Sequence, residues 1–516
     1  NFDYLHSENR VLNILNKSED SFNEISISEA MAKIKNKIDE LDNPNVKFLL
    51  GSSSTNEEYF VINEIGNYLN KDKFLSRDSS NIYFGDDLLF EGYFGDQYSQ
   101  AKLEDLDNSE TIVVWAEDIK DNLPILYLRI KKAVKNGSKL IVFGHTNTSI
   151  AGLADFYFGA DIVSNKFELI RNPNEIEDLK NNIEGKKVTV IAGKSTVFQK
   201  KESLDKLINF LNEKSELQVF NAFSKGNTFG ALQNIDEVKG LNEFCNEFDT
   251  NAKNIVFTIG VNPVNSSFFG QKIKEKLIAS DFVISLDLFV NETTELADLI
   301  LPTTSLGEKE GTVTNMEMRV MKQNKILPAP GSTLSEWEYL TSILNVLGED
   351  VNYKNENEIN NYLSEKYINQ EKLPTFDNLN KPSNLFGVIN KKDININIKD
   401  LEEDNFSLLM VRRLYGDSST QINSPSISML GAHKFIELNS TTAKKYGINS
   451  KVGNLIQGPN SILINIDINE YLPDDLVIAP INRRGFENID PCLDFDITEA
   501  KNREELNVNW YNNFSC

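Results

Sequence analysis

The sequence predicts an α/β protein built on parallel sheets, with a β-rich, barrel-like domain at its C-terminal end. Strand-like apolar runs and helical patterns alternate first between Val46 and Phe143 and again between Val188 and Leu286. Strand, helix and strand joined by short connections form βαβ units, whose strands pair in parallel. Beyond residue 400 the hydrophobic period switches to two: Ile462, Ile464, Ile466 and Ile468 alternate with Leu463, Asn465, Asp467 and Asn469.

Residues 1–25 show little periodicity. Ser26-Ile-Ser-Glu29 then has capping-box spacing, and Met31, Ile34, Ile38 and Leu41 follow on one helical face that Pro44 ends. Val46–Leu50 reads as a buried strand, Gly51-Ser-Ser-Ser-Thr55 as its exit loop and Asn56–Leu69 as a helix. Thr111–Trp115 is the next strand. Pro124 suits a first helical turn, where its missing N–H is not needed, and Asn136-Gly137 suits the stop before strand Leu140–Phe143. The second run has strands Val188–Ala192, Ile255–Ile259 and Phe282–Leu286, with a helix near Glu202–Leu211. Residues 300–348 return to loop and helix, ending with Leu340–Leu347. Phe406–Val411 and Leu476–Ala479 are short strands of the last domain. The expected division is a lead-in at 1–44, α/β domains at 45–180 and 181–348, an Asn-, Lys- and Glu-rich linker at 349–400, and a barrel at 401–516.

A chain of 516 residues fits two to four cores of ordinary size. Its net charge of −24 opposes nucleic-acid binding, which needs positive charge against phosphates. No apolar run reaches the roughly 18 residues of a membrane span, so no direct membrane insertion is expected. Cys245, Cys492 and Cys516 are far apart, too few for a [4Fe–4S] cluster and unsuited to a zinc site or a disulfide framework. The chain begins with Asn1 rather than Met, so a longer protein with an upstream segment is expected.

Three strands run into glycine: Val46–Gly51, Val188–Gly193 and Ile255–Gly260. Ligands of open parallel sheets bind beyond the carboxyl ends of strands, and glycine there lets backbone amides approach a phosphate. The same three segments read as ordinary turns, since none is a G-x-G-x-x-G or Walker loop. Glu308, Glu310, Glu317 and Arg319 could form an acid/base site. With no histidine or nucleophile beside them, an ion-pair network that shapes a long loop is the favoured reading. His145 follows a strand, and His6 and His433 have no supporting residues nearby. No nucleophile elbow or catalytic triad order is present.

Asp287–Pro302, continued by Glu308, Gly311-Thr312, Asn315 and Glu317-Met318-Arg319, resembles the signature of the molybdopterin oxidoreductase family. Asn56–Tyr59, Gly260-Val-Asn-Pro263, Pro330-Gly331, Glu336-Trp337 and Leu438-Asn439 agree with it in order. The resemblance implies interleaved Rossmann-like parallel-sheet domains plus a C-terminal double-psi β-barrel. Where active members place a metal ligand, this chain has Arg77-Asp-Ser-Ser-Asn-Ile82, which offers Asp78, Ser79 or Ser80 and no cysteine. The family's Gly-x-Asn-Pro, Glu-Gly-Arg, Asp-Ala and Gly-Asp become Ala116-Glu-Asp-Ile119, Glu317-Met318-Arg319, Thr442-Ala443 and Gly453-Asn454. Those departures, with Lys225–Leu232 and Ser440–Ala443, resemble the large iron–sulfur subunit of respiratory NADH:quinone oxidoreductase, complex I. That resemblance implies a cofactor-free scaffold at the cytoplasmic face of the plasma membrane, without catalytic or metal-binding residues. Gly51, Asn56, Gly193, Gly260 and Asn262 would be vestigial pterin loops, the iron–sulfur clusters would lie in an upstream N-terminal part, and the partners would be other peripheral-arm subunits. The alternative is an active molybdenum or tungsten bis-pterin oxidoreductase of the formate dehydrogenase or nitrate reductase type, with the same five residues lining the pterin.

Overall fold

The computed structural model describes residues 2–19, 21–73, 79–85, 101–115, 119–144, 149–159, 180–193, 201–223, 225–366, 408–413, 415–416, 418–431, 434–472, 474–481, 483–491 and 493–500. The chain forms two compact units, one from residues 103–218 and 400–516, the other from 2–102 and 219–399.

The second unit is organised on an eight-stranded sheet. Its order is β10 (Lys239–Gly240), β4 (Ile82–Phe84), β3 (Asn45–Leu50), β11 (Asn254–Ile259), β12 (Phe282–Asp287), β13 (Leu299–Pro302), β1 (Ile14–Ser18) and β2 (Ser21–Ile25). The six strands from β10 to β13 pair in parallel, so all of them exit at one edge. A sheet covered on both faces needs continuous apolar strands, and β3 and β11 supply them, with Phe48 stacked on Phe257 at 4.9 Å. Helix α1 (Ile27–Glu40) begins at the expected Ser26–Glu29 capping box and buries Ala30, Met31, Ile34 and Ile38. Helix α2 (Asn56–Asn67) begins at a second box, Thr55–Glu58, and is buried along almost its whole length. Helix Glu336–Leu347 starts four residues before the expected segment, at a third box on Ser335 and Glu338.

Two stretches depart from expectation. Residues 1–25 hold the antiparallel hairpin β1–β2. Residues 300–348 hold part of β13 and the hairpin β14 (Gly311–Thr314) with β15 (Val320–Gln323). Strands of four or five residues show too few alternations to register as a period, and these are held by pairing with distant segments.

A five-stranded sheet, all but the end of its last strand in the first unit, has the order β7 (Phe156–Gly159), β6 (Lys139–Gly144), β5 (Thr111–Trp115), β8 (Lys187–Gly193) and β9 (Glu216–Ala222). Strands β7, β6, β5 and β8 pair in parallel. Helix Pro124–Lys135 begins at the expected proline and stops before Gly137, whose φ of +112° suits a residue without a side chain. This unit also holds a six-stranded mixed sheet in the order β16 (Leu408–Arg412), β20 (Val477–Ile481), β17 (Phe435–Leu438), β19 (Asn460–Ile468), β18 (Val452–Gln457) and β21 (Asp496–Glu499). The alternating isoleucines lie on β19, with Ile462, Ile464 and Ile466 buried. Among the described residues no helix is long and apolar enough to cross a membrane.

Candidate functional site

The parallel strands of the second unit deliver several of the expected residues to one exit edge. Gly51 follows β3 and Gly260 follows β11. The Gly51 N–H donates to the Ile259 carbonyl at 2.9 Å, and a Cβ on Gly51 would lie 2.0 Å from the Gly260 carbonyl oxygen. Only glycine permits that approach. Gly260 has φ of +56°. Ser52 is half-buried and Ser53 exposed, whereas the Ser54 Oγ is buried with no hydrogen-bond partner among the described residues. Asn262 follows, with its amide tied to Glu292 and Thr293 of the next exit loop.

Asn56 does not line this edge with its side chain. It is buried, and its Nδ2 donates to Thr312 Oγ1 at 3.0 Å and Thr314 Oγ1 at 3.1 Å on the β14–β15 hairpin. Asn227 donates to the Ser54 carbonyl at 2.8 Å and accepts from the Thr314 N–H at 2.7 Å. The hairpin is thus clamped onto the start of α2.

The signature acids form the ion-pair network favoured from sequence. Arg10 binds Glu308 through both guanidinium nitrogens, at 2.5 and 2.8 Å. Lys309 binds Glu58 and Glu336, each at 2.7 Å, with all three side chains at most 3% exposed. Lys322 pairs with Glu310 at 2.9 Å and Arg319 with Glu317 at 3.5 Å. Burial pushes the Glu336 carboxyl well up, and the neighbouring Glu58 adds to this. Burial opposes the Glu58 charge most strongly, but the Lys309 ammonium together with hydrogen bonds from Glu336, Lys309 and the Thr55 N–H outweighs it and holds Glu58 low.

Glu57 lies beside them, fully buried, accepting from the Thr312 N–H and Oγ1 at 2.7 Å each and from Asn360 Nδ2 at 2.9 Å. Burial pushes its carboxyl up to about 7, with the Thr312 donors opposing. A carboxyl raised on folding contributes stability that is fully present below 4.5 and lost as pH rises through about 7. Glu57→Gln should flatten this part of the stability profile, by up to about 3 kcal/mol between acid and neutral pH. Urea unfolding of both proteins at pH 5 and pH 8 reads the difference.

Gly193, at the end of β8, lies in the first unit. The same unit holds a cationic edge that the sequence reading missed. Strand β16 runs parallel to β20, with Arg412 opposite Ile481, so Arg412-Arg413 and Arg483-Arg484 leave the sheet at the same end. Strand β17 is antiparallel to β20, so Lys434 enters there, its Nζ 3.1 Å from where a Cβ on Gly485 would be. Arg413 is held by Glu437, by Asp121 at 3.5 Å and over the Phe435 ring at 5.4 Å. Among the described residues neither Arg412 nor Lys434 has an ion-pair partner. The available signal was the two Arg-Arg pairs of an acidic chain, each just past an apolar run.

Ser79 and Ser80 are not at the exit edge of the eight-stranded sheet. They precede β4, whose Ile82 pairs with Phe48 and whose Phe84 pairs with Leu50, and so lie toward the opposite end from Gly51. Asp78, residues 116–118, His145 and His433 lie outside the described residues.

The residues taken as signs of a blocked cleft have other roles. Met318 has φ of +60° and is buried in the apolar core of its unit. The Thr442 N–H donates to Asn439, which caps helix Ser440–Lys445, and its Oγ1 accepts from the Asp475 N–H at 2.9 Å. Asn454 is a mid-strand residue of β18, paired with Leu463 and Thr498.

Comparison with known proteins tests the reading drawn from these departures. The F420-dependent formate dehydrogenase 2 subunit alpha of Methanococcus maripaludis is 22% identical over 443 residues, covering 69% of this chain and 65% of that protein. The F420-dependent formate dehydrogenase subunit alpha of Methanocaldococcus jannaschii is 22% identical over 427 residues, covering 67% and 63%. The assimilatory nitrate reductase catalytic subunit of Bacillus subtilis is 36% identical over 94 residues, 18% of this chain and 13% of that one. The chain thus spans just under two thirds of the length of the two formate dehydrogenase subunits. Acetylene hydratase from Pelobacter acetylenicus shares the fold, with a TM-score of 0.60 over 97% of this chain and 93% of that one at 14% identity.

These relatives overturn the assignment to NADH:quinone oxidoreductase. With it fall the respiratory peripheral-arm partners and the NADH dehydrogenase role. The expectation of a chain without a cofactor falls too, because the family is defined by a molybdopterin and because three of the departures it rested on, Met318, Thr442 and Asn454, sit in a core, a helix cap and a strand. The model of that family, described as molybdopterin oxidoreductase, matches residues 10–346. The chain belongs to the molybdopterin oxidoreductase family.

Proposed function

We propose that the chain is part of an active molybdopterin oxidoreductase of the formate dehydrogenase type, with an anionic pterin cofactor held by its own residues. The observation that carries this is the cationic edge: Arg412, Arg413, Lys434, Arg483 and Arg484 gather at one end of a sheet in a chain of net charge −24. Arg413 is already paired with Glu437 and Asp121, so Arg412 and Lys434, which have no ion-pair partner among the described residues, are the charges offered to an anion. We read the six-stranded sheet that presents them as the counterpart of the family's double-psi barrel. The second unit has a candidate anion-facing edge of its own in the backbone of Gly51–Ser54 and of Gly260–Asn262, where two exits touch through glycine and the buried Ser54 hydroxyl has no partner among the described residues. Gly193 offers a like exit in the first unit.

When bound, the molybdopterin and its metal supply a centre that accepts or gives two electrons. The protein's own task is to bind and orient that group: cations neutralise it, and glycine exits bring amide dipoles close. Formate oxidation would release carbon dioxide, a proton and two electrons, the last passing to an electron-carrying partner.

The test is the full chain expressed in a host that makes the cofactor. Stoichiometric pterin fluorescence after acid release, stoichiometric molybdenum or tungsten, and formate-dependent dye reduction are expected. The double variant Arg412→Glu/Lys434→Glu should retain pterin about 30-fold less well, from the loss of two charge-assisted contacts. A wild-type chain purified with neither pterin nor metal would overturn the proposal.

A further inference from the structure

The exits of β11 and β12 are joined by a hydrogen-bonded clamp on the second unit's candidate edge. Glu292 accepts from Asn262 Nδ2 at 2.7 Å on one carboxylate oxygen and from Asn265 Nδ2 at 3.0 Å on the other. Thr293 Oγ1 donates to Asn262 Oδ1 at 2.7 Å and accepts from the Val264 N–H at 3.3 Å. The Ser266 hydroxyl donates back to the Asn262 carbonyl at 2.8 Å. Thr293 and Asn265 are buried, and Glu292 and Asn262 are half-buried. The Gly260 N–H is fixed by the Leu286 carbonyl at 2.9 Å. Both ends of the Asn262 amide are therefore engaged by adjacent residues of one loop.

This arrangement suits a carboxylate better than an amide, which would fit only if Asn265, whose Oδ1 is buried with no partner among the described residues, turned its amide over and the charge-assisted bonds were lost. Each oxygen of Glu292 receives one N–H, whereas a glutamine has a single acceptor oxygen and would set its own N–H₂ against one of the two asparagines. A negative charge beside a site for an anion is unfavourable unless it is already satisfied. Two amide donors satisfy this one, and charge-assisted hydrogen bonds hold geometry more strongly than neutral ones.

We infer that Glu292 and Thr293 are positioning residues for the Gly260–Asn262 loop: they hold the Asn262 amide so that the loop offers its backbone to the ligand beside Gly51. This rests on the cofactor-binding reading above. In that role Asn262 is a brace rather than a contact. The loop's φ of +56° at Gly260 and its touch with Gly51 are what the brace preserves.

The test compares wild type with Glu292→Gln, Thr293→Val and Thr293→Ser, all as full chains. Hydrogen exchange of residues 260–266, measured without ligand, should quicken about tenfold in Glu292→Gln and Thr293→Val and stay near wild type in Thr293→Ser, which keeps the hydroxyl. Pterin retention should fall about tenfold in the first two and not in the third, with the melting temperature of the ligand-free protein shifting by only about 2 °C. Unchanged exchange in Glu292→Gln would remove the clamp. Faster exchange with full pterin retention would remove the positioning role, and so would a loss of retention that merely tracks a large fall in melting temperature. A wild-type chain that retains no pterin defeats the functional reading itself and takes this inference with it, whatever the exchange data show.

Discussion

Lys309→Met should destabilise the chain by about 3–5 kcal/mol at neutral pH. The lysine lies between Glu58 and Glu336, 2.7 Å from each, with its side chain 3% exposed. Removing it leaves two carboxyls that face each other without water or counter-charge. One must take a proton, and Glu336, already pushed up by burial and by Glu58, is the one that does. Glu58 keeps the Thr55 N–H at 2.7 Å and the Glu336 N–H at 3.1 Å, which limits the damage. Carboxyl pKa values raised in this way give a deficit that shrinks in acid and grows as pH rises. Urea midpoints at pH 5 and pH 8 should show it, and Lys309→Met/Glu336→Gln should recover part of the loss. A deficit below 1 kcal/mol at both pH values would mean that water reaches the triad in solution.

Gly51→Ala should cost about 3 kcal/mol or more. The added carbon would fall 2.0 Å from the Gly260 carbonyl oxygen, and main chain cannot swing away as a side-chain tip can. Relief requires the exits of β3 and β11 to part, which strains the 2.9 Å bond from the Gly51 N–H to Ile259. It would also displace the loops assigned to the cofactor, so pterin retention should fall together with the melting temperature. Gly152→Ala is the matched control, since a carbon added there meets nothing within 4 Å. Equal melting temperatures for the two variants would show that the exits separate freely.

The parallel-strand framework was legible because its information is local. Val46–Leu50, Thr111–Trp115 and Ile255–Ile259 are apolar runs bounded by turn residues, and each is a strand within one residue of its expected limits. Gly51 and Gly260 could be read as strand exits, though their contact could not, because it depends on which strands are neighbours. The cationic edge was lost for the same reason. Arg412-Arg413 and Arg483-Arg484 are distant in sequence, and only the pairing of β16 with β20 brings them together. Met318 misled in another way. A bulky residue at a position where the family's motif has glycine reads as an obstruction, yet its backbone adopts φ of +60°, a region that favours glycine, while its side chain joins the core. A departure from a motif reports a changed residue and not the direction in which its side chain goes.

The order of strands along the chain also bears on how the protein is made. Asn45 pairs with Asn254, and the whole five-stranded sheet is encoded between β4 and β10. On the ribosome β3 and β4 emerge with only each other as partners, and the β3 edge that takes β11 and the β4 edge that takes β10 must wait open while the inserted segment is synthesised. Exposed strand edges of this kind invite aggregation during slow, non-local assembly. The yield of intact protein should then depend on translation speed and chaperone supply more than on the stability of the finished fold.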